Sequence, residues 1–205
     1  METFDSTKRS LFEILKDVHN GKIQLPDFQR GWIWDDNRIK GILASVAKSF
    51  PIGAVMLLET GNENVRFKTK PVEGVKLDNG AKAELLILDG QQRITSLYQT
   101  IVTNEVVTTK NEKNYEIKRW YYIDMVKAMD GNYDLEEAII SINEKKQITE
   151  DFGRRIMLDL SRKEYEFENL MYPVCMIDDY SVWRREFNEY WQYDREKSIF
   201  WDKFE

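Results

Sequence analysis

The stretch LLILDGQQRITSLYQTIV, residues 85–102, decides how this chain is read. Its first four residues are aliphatic and read as a buried strand. Asp89-Gly90 forms a joint. From Gln91 onward Ile94, Leu97, Tyr98 and Ile101 recur at the spacing of one helical face. A core strand passing into a core helix implies strands and helices mixed in one layer system. Polar chemistry is confined to the five residues Asp89, Gly90, Gln91, Gln92 and Arg93 between two apolar elements.

Those five residue types suit an anion. A helix N-terminus presents unpaired N–H groups and about half a unit of positive charge. Phosphate is the usual guest there, and a glycine before the first turn lets it approach the backbone closely. Arg93 adds a planar fork for phosphate oxygens. The two glutamines add amide donors and acceptors. Asp89 can orient Arg93, accept from a ribose hydroxyl or hold Mg2+. The same joint also serves as an ordinary turn with a polar first helical turn, and Asp-Gly alone does not separate the two. No Gly-Lys-Ser/Thr follows, so it is not a P-loop, and one glycine does not make a dinucleotide fingerprint.

Upstream lies a second polar island, LPDFQRGWIW, residues 25–34, with Gln29-Arg30 set between Phe28 and the pair Trp32 and Trp34. Arginine among aromatics serves as a structural cation–π contact or as a phosphate- or base-contacting arm. Around the islands the chain alternates helical and extended patterns. Ser10-Leu-Phe-Glu13 reads as a capping box opening a helix that Asn20-Gly21 stops. Asp35 reads as the cap of a helix with Ile39, Ile42, Leu43 and Val46 on one face. Residues 52–59 read as a buried strand, 65–68 as a strand pairing back and 69–83 as a loop. Residues 119–125, 138–142 and 154–160 read as strands. Ser161-Arg-Lys-Glu164 reads as a second capping box, and residues 172–177 as extended. From Ser181 onward Trp183, Phe187, Tyr190 and Trp191 make a helical aromatic stripe. The expected class is α+β: one domain over residues 1–180, then a helical extension over 181–205 that begins a helical region of a longer protein.

Composition narrows the functions. One histidine (His19) and one cysteine (Cys175) in 205 residues exclude an internal disulfide and a Cys/His zinc site, and suit a reducing cytoplasmic compartment. Cys175, within an apolar run, reads as core, and His19 as a helix-end residue. No apolar run approaches the ~20 residues of a membrane span. The formal net charge is −6, and all of it arises after residue 110. Residues 1–110 carry 15 Lys/Arg against 14 Asp/Glu, whereas 111–205 carry 15 against 22. The surface as a whole suits nucleic acid poorly, which leaves only a local basic cleft in the first half.

Taken together, LPDFQRGWIWDDNRIKGILASVAKSFPIGAVMLLE and LLILDGQQRITSLY resemble the ParB/sulfiredoxin-like N-terminal domain of the GmrSD-type restriction and phage-defence family. The matching positions are Pro26, Phe28, Gln29, Arg30, Trp32, Trp34, Pro51, Gly53 and Asp89 through Arg93. The resemblance implies a ParB/sulfiredoxin-like mixed sheet with flanking helices. It also implies an NTP-binding or NTP-hydrolysing sensor domain coupled to a His-Asn-His-type nuclease. ParB-like relatives place a Gly-x-x-Arg segment on the triphosphate, and Gly90 to Arg93 fits that frame. Sulfiredoxin relatives use a cysteine at this joint, and this joint has none. With His19 as its single histidine, the chain is expected to leave the nuclease to a C-terminal or separate module.

Three readings follow. In the first, Arg93, Gly90, Gln29 and Arg30 bind the phosphates of GTP, ATP or CTP. Asp89, Gln91, Gln92 and Arg93 then serve any hydrolysis, with Asp89 on Mg2+. In the second, Arg30, Trp32, Trp34, Arg66, Lys68 and Lys70 contact DNA without hydrolysis. In the third, the domain only joins partners through its C-terminal aromatic helix.

Overall fold

In a computed structural model the described residues are 8–61, 67–77 and 81–205. In chain order the elements are α1 (Leu11–His19), β1 (Ile23–Pro26), α2 (Asp36–Ala47), β2 (Met56–Glu59), β3 (Thr69–Lys70), β4 (Leu85–Asp89) and α3 (Gln91–Leu97). There follow β5 (Val107–Lys110), β6 (Glu116–Asp124), α4 (Met125–Met129), α5 (Leu135–Ala138), β7 (Ile139–Asn143), β8 (Gln147–Glu150) and β9 (Arg155–Asp159). The last are α6 (Lys163–Glu168), β10 (Met171–Pro173), α7 (Tyr180–Tyr190) and α8 (Arg195–Phe204). The fold is α+β. It divides into two compact units: Met1–Trp32 with Gly53–Tyr98, and Ile33–Ile52 with Gln99–Glu205.

The first unit is a sheet of order β2-β4-β1-β3 with α1 and α3. Strand β4 runs parallel to β1, with Ile23 opposite Leu85 and Gln24 opposite Leu86, and the two edge strands are antiparallel to them. The capping box of α1 forms as the sequence predicts: the Ser10 hydroxyl accepts from the Glu13 N–H, and the Glu13 carboxylate accepts from the Ser10 N–H. Leu15, Val18, Ile23, Leu25, Val72, Leu86, Ile87, Ile94, Leu97 and Tyr98 are buried. The strand expected over 52–59 is shorter. Gly53 has φ +88°, a left-handed conformation that breaks extension, and pairing begins only at Met56 on the sheet edge. Short edge strands of this kind resist further pairing. The loop expected over 69–83 yields its first two residues to β3. Residues 65 and 66 of the strand expected over 65–68 lie outside the described residues.

The second unit is built on the nine-residue β6. Strand β7 pairs with it over Arg119–Ile123. Strand β5 pairs with its first part and β10 with its last, all antiparallel, and β8–β9 form a separate hairpin. Asp35 caps α2 as the sequence predicts, accepting from the Arg38 N–H. Ser161 does not cap α6; its own N–H donates to the Asp159 carboxylate, and Arg162 takes the cap position without a side-chain bond. The extended reading of 172–177 holds only to Pro173, after which the chain turns as a 3-10 helix. The aromatic stripe forms two helices rather than one, because Gln192 and Tyr193 adopt positive φ between α7 and α8. Trp183, Phe187 and Trp201 are packed with Met125, Phe167 and Tyr172 in one buried cluster. Trp183 stacks on Phe187 at 5.2 Å and meets Phe167 edge-on at 5.0 Å. Such pairs add to area burial about 0.5–1.5 kcal/mol each.

One carboxylate is buried in this unit. Glu166 accepts from the Tyr122 hydroxyl (2.8 Å) and the Trp183 indole (3.4 Å), and pairs with Lys146 at 3.5 Å. Burial pushes its pKa above the ordinary glutamate value, against the pull of Lys146 and the three hydrogen bonds.

Candidate functional site

The site is built in the first unit, where β4 ends. Parallel pairing with β1 puts the C-terminal ends of both strands at the same end of the sheet, and antiparallel pairing puts the start of β2 there too. Open sheets commonly receive ligands at the carboxyl ends of their parallel strands. Gly90 takes the cap position of α3 with φ +90°, a conformation a side chain would strain, and it offers no side chain to cap the first turn. The chain therefore reverses from strand to helix in one residue.

Arg93 is held across that reversal. Its Nη2 donates to the Ala54 carbonyl at 2.8 Å and to Asp89 Oδ2 at 3.1 Å. The arginine side chain is 21% exposed and that of Asp89 72%, so the carboxylate stands in solvent and the guanidinium is half-sheltered. Gly53 makes the pose possible: a Cβ there would lie 2.0 Å from Arg93 Nη1. A Cβ on Gly90 would meet Val55 Cγ2 at 3.1 Å and Arg93 Nη2 at 3.3 Å. Both glycines of the resemblance thus have a geometric reason, and for Gly53 the reason is Arg93.

The two polar islands are stitched together. The Gln91 amide donates to the Arg30 carbonyl at 2.7 Å, and that of Gln92 to the Gly31 carbonyl at 3.1 Å. In return the Gln29 amide donates to the Leu88 carbonyl at 3.0 Å. Lys70 donates to the Gln29 carbonyl, Glu73 accepts from the Trp32 N–H at 2.9 Å, and the Trp32 indole donates to Ser96 Oγ at 3.0 Å. The segment 29–32 is therefore fixed at both backbone and side chain. The Arg30 side chain is exposed, and among the described residues its guanidinium makes no hydrogen bond or ion pair.

The sequence-predicted residues separate as follows. Asp89, Gly90, Gln91, Gln92, Arg93, Gln29, Arg30 and Trp32 are joined by these contacts. Gln91 is 5% exposed, so its amide works inside the fold rather than on solvent. Lys70 is half-buried against Gln29, whereas Lys68 is exposed. Trp34 belongs to the second unit, where its carbonyl accepts from the Thr109 hydroxyl. Arg66 lies outside the described residues. Sequence reasoning missed Glu73 and Ser96, whose partners are far along the chain and leave no local signal.

The sequence expectation places Mg2+ on Asp89. Among the described residues no three His, Cys, Asp or Glu side chains converge as ligands. A single exposed carboxylate at Asp89 suits an ion that arrives on phosphate oxygens and keeps most of its water. The lone histidine is committed elsewhere, its Nδ1 lying 3.0 Å from the Tyr98 hydroxyl. Cys175 lies in the 3-10 turn after β10, and burial pushes its thiol up, away from the reactive thiolate. Among the described residues no helix is long and apolar enough to cross a membrane.

Comparison with known proteins agrees with the paired islands. The chain is 28% identical over 199 residues to the uncharacterized protein MJ0686 of Methanocaldococcus jannaschii, a match covering 92% of this chain and 32% of that protein. The chain thus spans about a third of the length of this curated relative. The family model described as the GmrSD restriction endonuclease N-terminal domain matches residues 11–201, and the chain belongs to that family.

Proposed function

We propose that the first unit binds a nucleoside triphosphate at the end of β4 and serves as the sensor domain of a restriction or phage-defence protein. One observation carries this most: Arg93, half-sheltered and braced by Ala54, shares its guanidinium with the solvent-exposed Asp89 beside the first turn of α3. An arriving phosphate competes with Asp89 for that guanidinium and gains the helix-end amides. Arg30, presented by the glutamine stitches, neutralises further phosphate charge. Asp89 is the residue that would hold a Mg2+ ion carried on the phosphate oxygens, where the ion would neutralise phosphate charge. The buried Gln91 holds the Arg30 loop rather than a water, so any hydrolysis in this reading relies on Gln92, Asp89 and the two arginines. The nuclease activity of such a system belongs to a module outside these residues, because the chain has a single histidine and it faces Tyr98.

The exposed Arg30 and Lys68 favour one other reading, a DNA contact without nucleotide. The two readings separate in one experiment. Binding of each of the four NTPs with Mg2+, and of duplex DNA, is measured for the wild type and Arg30→Ala at low and moderate salt. Nucleotide binding by the wild type supports the proposal. DNA binding that falls steeply with salt and weakens in Arg30→Ala, with no nucleotide bound, replaces it.

A further inference from the structure

Two large aromatic side chains of the first unit stand in solvent. Phe28 is 63% exposed and Phe67 46% exposed. Their rings meet edge to face, with centroids 5.4 Å apart and planes at 72°. Such a pair covers one face of one ring at most, so it buries little of its own apolar surface and leaves faces for a planar guest. Phe28 is held in place by the turn that closes with the Gln29 N–H on the Pro26 carbonyl. Phe67 is held by the neighbouring bond from the Asp27 N–H to the Lys68 carbonyl.

Topology puts these rings at the same end of the sheet as the joint. β1 lies between β4 and β3, and runs parallel to β4. Phe28 follows the C-terminal end of β1, and Phe67 precedes β3, whose Thr69 pairs with Pro26. Both therefore leave the sheet where Asp89-Gly90 leaves it. Two strand spacings across the sheet are about 10 Å, which is on the scale of a nucleoside triphosphate from its outer phosphates to its base. Two exposed cationic residues lie close to the rings in sequence, Lys68 next to Phe67 and Arg30 two residues after Phe28, and their charge complements an anionic guest.

From this the geometry points to a base subsite: the heterocyclic base of the nucleotide whose phosphates lie at Gly90 to Arg93 stacks on the face of one of the rings Phe28 and Phe67 and meets the other at its edge. The inference rests on the nucleotide reading and adds to it the element that distinguishes a nucleotide from a bare polyphosphate. Aromatic stacking tolerates every base, so the subsite favours nucleotides over inorganic tripolyphosphate more than it favours one base over another.

The test is equilibrium binding of ATP, GTP, CTP and UTP, of inorganic tripolyphosphate and of a short single-stranded oligonucleotide. The proteins are the wild type, Phe28→Ala, Phe67→Ala, Phe28→Trp and Arg93→Ala. Either alanine variant is expected to weaken nucleotide binding about tenfold while leaving tripolyphosphate unchanged, and Phe28→Trp to restore it. Unchanged nucleotide affinity in both alanine variants overturns the subsite, as does an equal loss for tripolyphosphate, which would mark a structural role. A loss confined to the oligonucleotide overturns it in favour of a DNA contact. If the wild type binds neither nucleotide nor tripolyphosphate, or Arg93→Ala binds both as well as the wild type does, the underlying phosphate seat fails and the subsite fails with it.

Discussion

The side-chain amide of Gln91 donates to the backbone carbonyl of Arg30 at 2.7 Å, across 61 residues of sequence. The Asp-Gly-Gln-Gln-Arg box thereby fixes the other polar island rather than merely facing it. Replacing Gln91 with Met keeps the shape and removes the donor. The Arg30 carbonyl then loses a buried partner, at a cost of about 1–3 kcal/mol. A lowered melting temperature is expected, together with weaker nucleotide binding although Arg93 is untouched.

Gly53 predicts a mimic of an arginine variant. Gly53→Ala brings a Cβ to 2.0 Å from Arg93 Nη1, and the guanidinium, as the far end of a flexible chain, must swing away. The positive φ adds roughly 1–2 kcal/mol of backbone strain. Phosphate affinity of Gly53→Ala should fall nearly as far as that of Arg93→Ala, with only a modest loss in melting temperature. Titration of both variants with tripolyphosphate checks this.

Asp89 separates stability from ligand chemistry. Its ion pair with Arg93 is largely solvent-exposed, so Asp89→Asn is expected to change stability by less than about 1 kcal/mol. Nucleotide binding in EDTA should hold or tighten, because a competing carboxylate charge is gone. The gain in affinity conferred by Mg2+ should shrink. Titrations with and without the metal read both effects.

The second unit carries a pH signature. Burial raises the folded-state pKa of Glu166 above its unfolded value. Between those two values the folded chain holds a proton the unfolded chain has released. This group's favourable contribution is therefore complete below the ordinary glutamate range and is lost as pH rises through the folded pKa. Glu166→Gln should flatten that decline in denaturant midpoint above the ordinary glutamate range. Tyr122, its hydrogen-bond partner, has its own pKa raised by burial and by that carboxylate, and stays neutral throughout.

Much of this was legible in the sequence because it is local. Ser10 and Glu13 bracket the first turn of α1, and Asp35 precedes α2, so spacing alone identifies both caps. The strand-glycine-helix joint is equally local, and Gly90 takes the cap position of α3 in a left-handed conformation. The Ser161–Glu164 pattern misled because a carboxylate two residues back, Asp159, takes the Ser161 N–H first. The glutamines illustrate the limit of such reading. Spacing shows that they open a helix, but not that they face the carbonyls of Arg30 and Gly31. The Phe28–Phe67 pair is hidden likewise, since only the β1–β3 pairing brings those rings together.

The central claim is that Arg93 receives phosphate at the end of β4. It is tested most directly by calorimetric titration of the wild type and Arg93→Ala with the best-binding NTP and Mg2+, with both proteins first shown to melt cooperatively. Saturable binding by the wild type and a loss of at least tenfold in Arg93→Ala are expected, as for a charged hydrogen bond worth about 1.5–3 kcal/mol. Equal affinity in the two proteins, or no binding of any NTP by the wild type, would contradict the account.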